Sequence, residues 1–419
     1  MKALLLFPAF VLSIPSVIAK EGIEAFEDKS ASVEKEEPTH WAGDFCEWLS
    51  DDPGELFREK KNPWISQVEL SGRFHYQFGR VEGEDVRGNS FGDSFDEFRR
   101  LRLTAKVDFL KYFELEVGSN LVSDLRSRAQ PNNSLDFGHD DFDAITLGFD
   151  IGKAFGKGPF DDIKLTYGRM KLKIGDEVHT SSNDLLTIER SALANELGGD
   201  ESRPTGATLE LEKDDWTAVF GVFSNEADGH AIANWNDGIF YYGSLEWEPN
   251  KRWTLRLDHA HADSSDADTA LDYKHATVFS TIYESKRWGF SSDLVYVANN
   301  NDNSRDPLRE GNFFGGVFTP WVWLVRDRLQ LVGRYQYARA EESESLRLPN
   351  RYIRGLDLPP TTDLDGGRSD ENHSFYLGLN WTLCEGNLNL LSGISHDLVS
   401  APTDNFSATT YLFALRTSF

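Results

Sequence analysis

Eight basic side chains, Arg73, Arg100, Arg102, Lys106, Lys164, Arg256, Arg334 and Arg416, fall on one face of segments that alternate apolar and polar residues. Fixed cations spaced along a face offer an anion successive partners, provided that binding is firm enough for entry and weak enough for release. Arginine suits phosphate-like groups because its planar fork donates bidentately, whereas lysine acts as a point charge. The acidic residues Glu69, Asp108, Glu114, Glu116, Asp258 and Asp293 share that face, so an ion pair that only braces the structure competes with anion binding at every position. Hydrolytic chemistry has thinner support. His179, Ser181 and Ser182 are close in sequence but sit in no nucleophile-elbow motif, and His259 and His261 lie on one strand face without metal-ligand spacing.

The elements that must position these cations are strands. Val68, Leu70, Gly72, Phe74, Tyr76 and Phe78 alternate with Gln67, Glu69, Ser71, Arg73, His75 and Gln77, a run long enough for a membrane strand of about 9 to 11 residues. The second strand sets Leu101, Leu103, Ala105, Val107 and Phe109 against Arg100, Arg102, Thr104, Lys106 and Asp108. The third sets Phe113, Leu115, Val117 and Leu121 against Glu114, Glu116 and Asn120. The pattern continues near 142–152, 161–170, 205–213, 215–224, 238–248, 252–262, 273–284, 287–298, 312–324, 328–339, 373–383, 387–397 and 408–419, which makes sixteen. An even number closes an antiparallel bacterial barrel, with the polar face lining a wet lumen. Carried on to Arg169 and Lys171, the alternation turns both outward.

Connection lengths alternate as well. Short turns fall at 110–112, 212–215, 248–251, 284–286 and 384–386; long polar ones fall at 79–96, 125–141, 172–204, 225–237, 263–272, 299–311, 340–372 and 398–407. Short periplasmic turns and long external loops are the outer-membrane arrangement. The segment 152–161 and the region of Pro320 fit least well, because proline cannot donate to a ladder. The last strand ends on Phe419, an aromatic suited to the periplasmic girdle.

Residues 1–19 have a basic start, a short apolar run and a small-residue end at Val17-Ile18-Ala19, which reads as a signal peptide cut after Ala19. Residues 20–64 read as an acidic periplasmic leader with short helices around Trp41 to Phe57, and 65–419 as the barrel, with 172–204 inserted into its mouth. Mean hydropathy is -0.47, which a barrel tolerates because only alternate residues meet lipid. The formal charge of -26 excludes nucleic acid as a partner. Much of the acid lies in expected outer loops: Glu82, Glu84 and Asp85; Asp263, Asp266 and Asp268; Glu341, Glu342 and Glu344; Asp363, Asp365, Asp370 and Glu371. Cys46 and Cys384 both fall on the periplasmic side of such a barrel, so a disulfide between them is expected, and neither a metal nor a cofactor is.

Three stretches, EFRRLRLTAKVDF at 97–109, GRMKLKIGDEVHTSSNDLLTIERSALANEL at 168–197 with RPTGATLEL following, and HSFYLGLNWTLCEGNLNLLSGISHDL at 373–398, resemble the phosphate-selective porin O and P family over roughly 64–419. The resemblance implies a homotrimeric sixteen-stranded barrel in which arginine and lysine ladders lead anions through a constriction formed partly by an inserted loop. It also adds Arg190 and Arg203 to the anion path, through the family's ERS and R-x-x-G elements. The expectation is therefore an all-β, sixteen-stranded antiparallel transmembrane barrel in the outer-membrane lipid of a bacterium. Its expected work is passive diffusion of small hydrophilic solutes with preference for anions such as phosphate. A general or weakly cation-preferring porin is the alternative, and an outer-membrane hydrolase or adhesin a more distant one.

Overall fold

A computed structural model describes residues 40–51, 53–122, 141–198, 203–226, 232–262, 270–271, 273–298, 311–341, 346–350, 352–353, 362–364 and 368–419. The signal peptide, residues 20–39 of the leader, and the acidic positions Asp263, Asp266, Asp268, Glu342, Glu344 and Asp365 lie outside them. The chain divides into two units, 1–45 and 46–419, and of the first only His40–Phe45, the start of helix α1 (His40–Ser50), is described.

The second unit is a closed antiparallel barrel. Its sixteen strands are β2 (Ile65–Glu84), β3 (Ser90–Phe109), β4 (Phe113–Asn120), β5 (Asp141–Asp150), β6 (Asp162–Arg169), β7 (Thr205–Lys213), β8 (Trp216–Ser224), β9 (Ile239–Asn250), β10 (Trp253–Ala262), β11 (His275–Glu284), β12 (Trp288–Ala298), β13 (Asn312–Val325), β14 (Leu329–Ala340), β17 (Glu371–Leu383), β18 (Leu388–Ser400) and β19 (Asn405–Ser418). Each pairs with its neighbour in sequence, and β19 returns to β2 with Ser418 opposite Arg73 and Ser407 opposite Glu84. Exposed Leu103, Leu165, Leu245, Phe279, Leu294, Leu377 and Ile394 form the outer band, and Trp216, Trp247, Trp288 and Trp381 mark its edge beside the short turns. Tight reversals need unusual backbone: Leu110 and Lys111 take φ of 50° and 70° between β3 and β4.

Several expectations change. The segment 79–96 is a hairpin rather than a long loop, since β2 runs to Glu84, β3 starts at Ser90, and only 85–89 turns. This part stands beyond the lipid, so its outward face is polar (Arg80, Glu82, Ser94) while Val81, Phe91 and Phe95 are buried on its inward face. The apolar-out code is inverted there, which made strand look like loop. Residues 151–155 form helix α2 (Ile151–Phe155), its N-cap Asp150 accepting from Lys153 N, in the connection that fitted least. Pro320 lies within β13, opposite Phe290, while the ladder to β14 passes from Phe318 to Trp321 without it.

At the end bearing the short turns, Cys46 and Cys384 are bonded, with Cα atoms 4.6 Å apart. Asn387 donates to the Leu49 carbonyl at 2.7 Å, and the Trp48 ring lies 6.4 Å from that of Phe419. Strand β1 (Glu55–Arg58) pairs with the start of β2, and Leu70 N donates to Gly54 O next to Gly72 N donating to Phe419 O. The leader thus continues the edge that the last strand leaves unfinished, which satisfies β2 backbone groups that would otherwise have no ladder partner.

The lumen is not uniformly wet. Leu172, Ile174, Leu193 and Leu197 from the connection after β6 pack against inward Phe223, Phe240, Ala260, Val278, Val295, Val297 and Phe313. A second cluster packs Ile188, Leu348, Tyr352 and Ile353 against Val81, Phe91, Phe95, Val399, Phe406 and Leu412. The inner wall is apolar where a loop covers it, so here burial takes the place of solvation.

Candidate functional site

The chain leaves β6 at Arg169 and crosses the lumen before β7. Its first anchor is electrostatic. Gly175, at φ 82°, donates its N–H to Asp258 at 2.8 Å, and Asp176 N donates to Asp293 at 3.1 Å. Ser280 Oγ donates to Asp293 at 2.6 Å, the His179 ring lies 3.2 Å from Asp258, and Tyr242 donates to the Lys173 carbonyl. Arg256 pairs with Glu246 at 2.5 Å and reaches Asp176 at 3.5 Å. Inward carboxylates of β10 and β12 therefore receive loop N–H groups, and α3 (Asp176–His179) starts where they converge.

The middle of the loop is held by arginines. Arg334 pairs with Glu177 at 3.0 Å and donates to Thr187 Oγ1 at 2.9 Å and Glu189 O at 2.7 Å. Arg190 donates to the carbonyls of Glu177 and Thr180 at 2.7 and 3.0 Å. Arg416 donates to the carbonyls of Leu185, Thr187 and Ile188, each at 2.7 Å. Arg73 reaches Ser182 and Ser181 at 2.7 and 3.3 Å; His75 contacts Asn183 at 2.9 Å and Arg100 at 3.5 Å. Helix α4 (Ala192–Glu196) follows, capped by Ser191, with Leu193 N donating to Gln336. A loop without a ladder must satisfy its carbonyls elsewhere, and buried guanidinium groups do so with charge-assisted bonds.

A second insertion joins it from the connection after β14. Arg347 N donates to Glu196 at 2.7 Å, Asn350 bridges Asp397 and Thr410 at 3.2 and 2.7 Å, and Tyr352 stacks on Phe95 at 4.1 Å. Strands β15 (Leu346–Arg347) and β16 (Arg368–Ser369) pair with each other, Leu346 opposite Ser369. The stretch 340–372 is thus partly internal. Farther out, Asp85 at the β2–β3 tip accepts N–H groups from Asp363, Asn89 and Arg87, and Arg87 pairs with Asp363 at 2.7 Å. Burial pushes the Asp85 carboxyl up, but those hydrogen bonds outweigh it and hold the pKa at about 2.

The predicted cations separate into two groups. Arg73, Arg190, Arg256, Arg334 and Arg416 gather against the loop, all but Arg190 from the barrel wall, and Arg100 stands beside them on His75. Lys106 and Lys164 share Glu114 at 3.0 Å each on the opposite wall, while Arg102 and Arg203 share Asp143 at 3.1 and 2.7 Å. Between this wall and the loop a cavity of about 470 Å³ remains, lined by Lys164, Lys171 and Lys173 together with Glu114, Glu116, Asp143, Glu210 and Glu246. Lys171 lines it because β6 ends at Arg169 and the chain turns inward, which breaks the alternation that pointed it outward. Sequence reasoning missed Arg99, which pairs with Glu189 at 2.8 Å. A bulge between His75 and Tyr76 in the β2–β3 register lets Arg99 reach Glu189 of the loop while Arg100 meets His75, and the consecutive polar pair in Phe98-Arg99-Arg100-Leu101 was its signal. The loop acid Glu177 gave no comparable signal, and Glu189, adjacent to Arg190 in sequence, pairs with Arg99. Among the described residues no group of histidine, cysteine and carboxylate side chains is arranged to hold a metal.

Residues 68–272 match the model of the phosphate-selective porin O and P family. The fold is similar to that of the outer membrane channel DcaP of Acinetobacter baumannii (TM-score 0.54, 9% identity, covering 87% of this chain and 99% of that one). It is similar also to an anion-selective porin from Comamonas acidovorans (0.52, 11%, 84% and 99%) and to OprB of Pseudomonas putida (0.51, 11%, 83% and 94%). At these identities the likeness is one of fold. No curated protein matches the sequence.

Proposed function

For this outer-membrane porin, matched over residues 68–272 to the phosphate-selective porin O and P family, we propose passive diffusion of small hydrophilic solutes with a preference for anions such as phosphate. The observation that carries the reading is the cleft of about 470 Å³ left beside the loop, with Lys164, Lys171 and Lys173 on its lining. Lysines in a narrow, partly desolvated passage offer an anion successive partners, and Lys106 and Arg102 extend the row along β3. The family match supports the same preference. Arg73, Arg100, Arg190, Arg256, Arg334 and Arg416 serve in this reading to seat the loop, and Lys106, Lys164, Arg102 and Arg203 to border the path. The chain acts as a channel and no catalytic residue is proposed. Residues 1–19 direct export, the barrel begins at 65, and assembly is as a homotrimer, which cross-linking in native membranes tests.

A weakly cation-preferring passage has its own observation, since Glu116, Glu210 and Glu246 line the same cleft. Reversal potentials in a planar bilayer under a KCl gradient separate the two. Anion preference that falls when Lys171 and Lys173 are both changed to Gln is the expected result. Cation preference in the unaltered porin refutes the proposal.

A further inference from the structure

Beneath the crossing loop, toward the short turns, lies a second cavity, of about 380 Å³, that the lysine cleft does not include. Trp321 and Trp323 form one wall, standing inward on β13 because Pro320 and Val322 face lipid; their ring centroids are 6.4 Å apart and the planes 72° apart. The loop contributes Asp176, Glu177 and Asp184, and the end of β11 contributes Glu284. Asp176 and Glu177 already face Arg256 and Arg334, at 3.5 and 3.0 Å. Asp184 and Glu284 are exposed to the cavity and have no ion pair among the described residues. Thr319, only 4% exposed, lines the same space, and its hydroxyl has no hydrogen-bond partner. Buried hydroxyls are ordinarily satisfied, so Thr319 leaves this wall with unused hydrogen-bonding capacity.

We propose that this cavity binds a small organic cation, an aliphatic amine or diamine, from the periplasmic side. Indole faces attract a cation within about 6 Å of the ring, and an alkyl chain between two ammonium groups gains from the same apolar wall. Asp184 and Glu284 supply the two anionic ends. A hydrated divalent metal fits less well, since it needs about six converging oxygens and the walls here are aromatic. The site is independent of the anion preference, which reversal potentials measure without any amine present.

The test is calorimetric titration of the purified full-length porin with 1,6-diaminohexane. Saturable binding is expected, weakened about tenfold in Asp184→Asn/Glu284→Gln and about threefold or more in Trp323→Leu. Glu116→Gln/Glu210→Gln, in the other cleft, is expected to leave it unchanged, as is neutral 1,6-hexanediol as competitor. Retained heat-modifiable mobility on gels shows that each variant is folded. The proposal is overturned by equal affinity in the Asp184/Glu284 variant, by equal binding of hexanediol, or by displacement of the diamine by magnesium at constant ionic strength.

Discussion

Arg416 offers the sharpest contrast between a residue that contacts solutes and one that seats the loop. Its side chain is 3% exposed, and its donors meet the carbonyls of Leu185, Thr187 and Ile188 at 2.7 Å. Hydrogen bonds to a charged group contribute about 1.5 to 3 kcal/mol each, and lumen water replaces part of that when the donor is removed. Arg416→Met is therefore expected to weaken the seat of residues 185–188 by about 3 to 5 kcal/mol, which raises the released fraction roughly 10²- to 10⁴-fold. The neighbouring anchors Arg334 and Arg73 keep the rest of the loop in place, so the barrel should retain its heat-modifiable mobility on gels. Single-channel conductance should rise, and liposome-swelling assays should admit larger sugars. Arg416→Lys, with one donor centre instead of a fork, should fall between. Unchanged conductance and size limit in Arg416→Met, accompanied by lost anion preference, would refute the reasoning and make Arg416 an anion contact.

Arg334 and Glu177, both about one-tenth exposed, form a pair for which removal of either partner strands a buried charge. Arg334→Met alone should destabilise the loop by about 3 to 5 kcal/mol, and Arg334→Met/Glu177→Leu by less than the sum, as a double-mutant cycle read by loop protease sensitivity would show. Cys384→Ser should leave the barrel folded while exposing residues 46–58 to protease, since 338 residues separate the bridged cysteines and the remaining ties of that segment are a few hydrogen bonds. The Asp85 carboxyl has a folded pKa of about 2, below the unfolded value of about 3.9. Its contribution to the β2–β3 tip is thus fully present above pH 4 and is lost as pH falls through 2. Amide exchange at Arg87, Asn89 and Asp363 should accelerate over that window and, in Asp85→Asn, be fast already at neutral pH; protection unchanged by the substitution would count against the assignment.

How much of the fold is legible in the sequence depends on which solvent each residue meets. Inside the lipid band one face of every strand must be apolar, so the alternation through Leu101-Leu103-Ala105 and Tyr411-Phe413-Leu415 is enough to identify strand and facing. At 79–96 the same hairpin leaves the lipid, its outer face becomes polar, and the code that marked it disappears. The place of the inserted loop was equally legible, because a long polar stretch between β6 and β7 had nowhere to pair. What it touches was not. Parity turned Arg334 and Arg416 inward, but it could not distinguish a wet lumen from one filled by carbonyls, since a guanidinium suits both.

Local sequence was enough for the closed antiparallel barrel, its sixteen strands and the facing of most strand-borne charges, because membrane burial imposes a local period of two that each strand must obey alone. The tertiary structure decided which cations face solute and which hold the loop. That outcome depends on the path of residues 170–198 across the lumen and on a second insertion at Leu348, Tyr352 and Ile353. These contacts join residues more than a hundred positions apart, as with Arg73 and Ser182, where no local period operates and only the competition for buried donors and acceptors selects the partner.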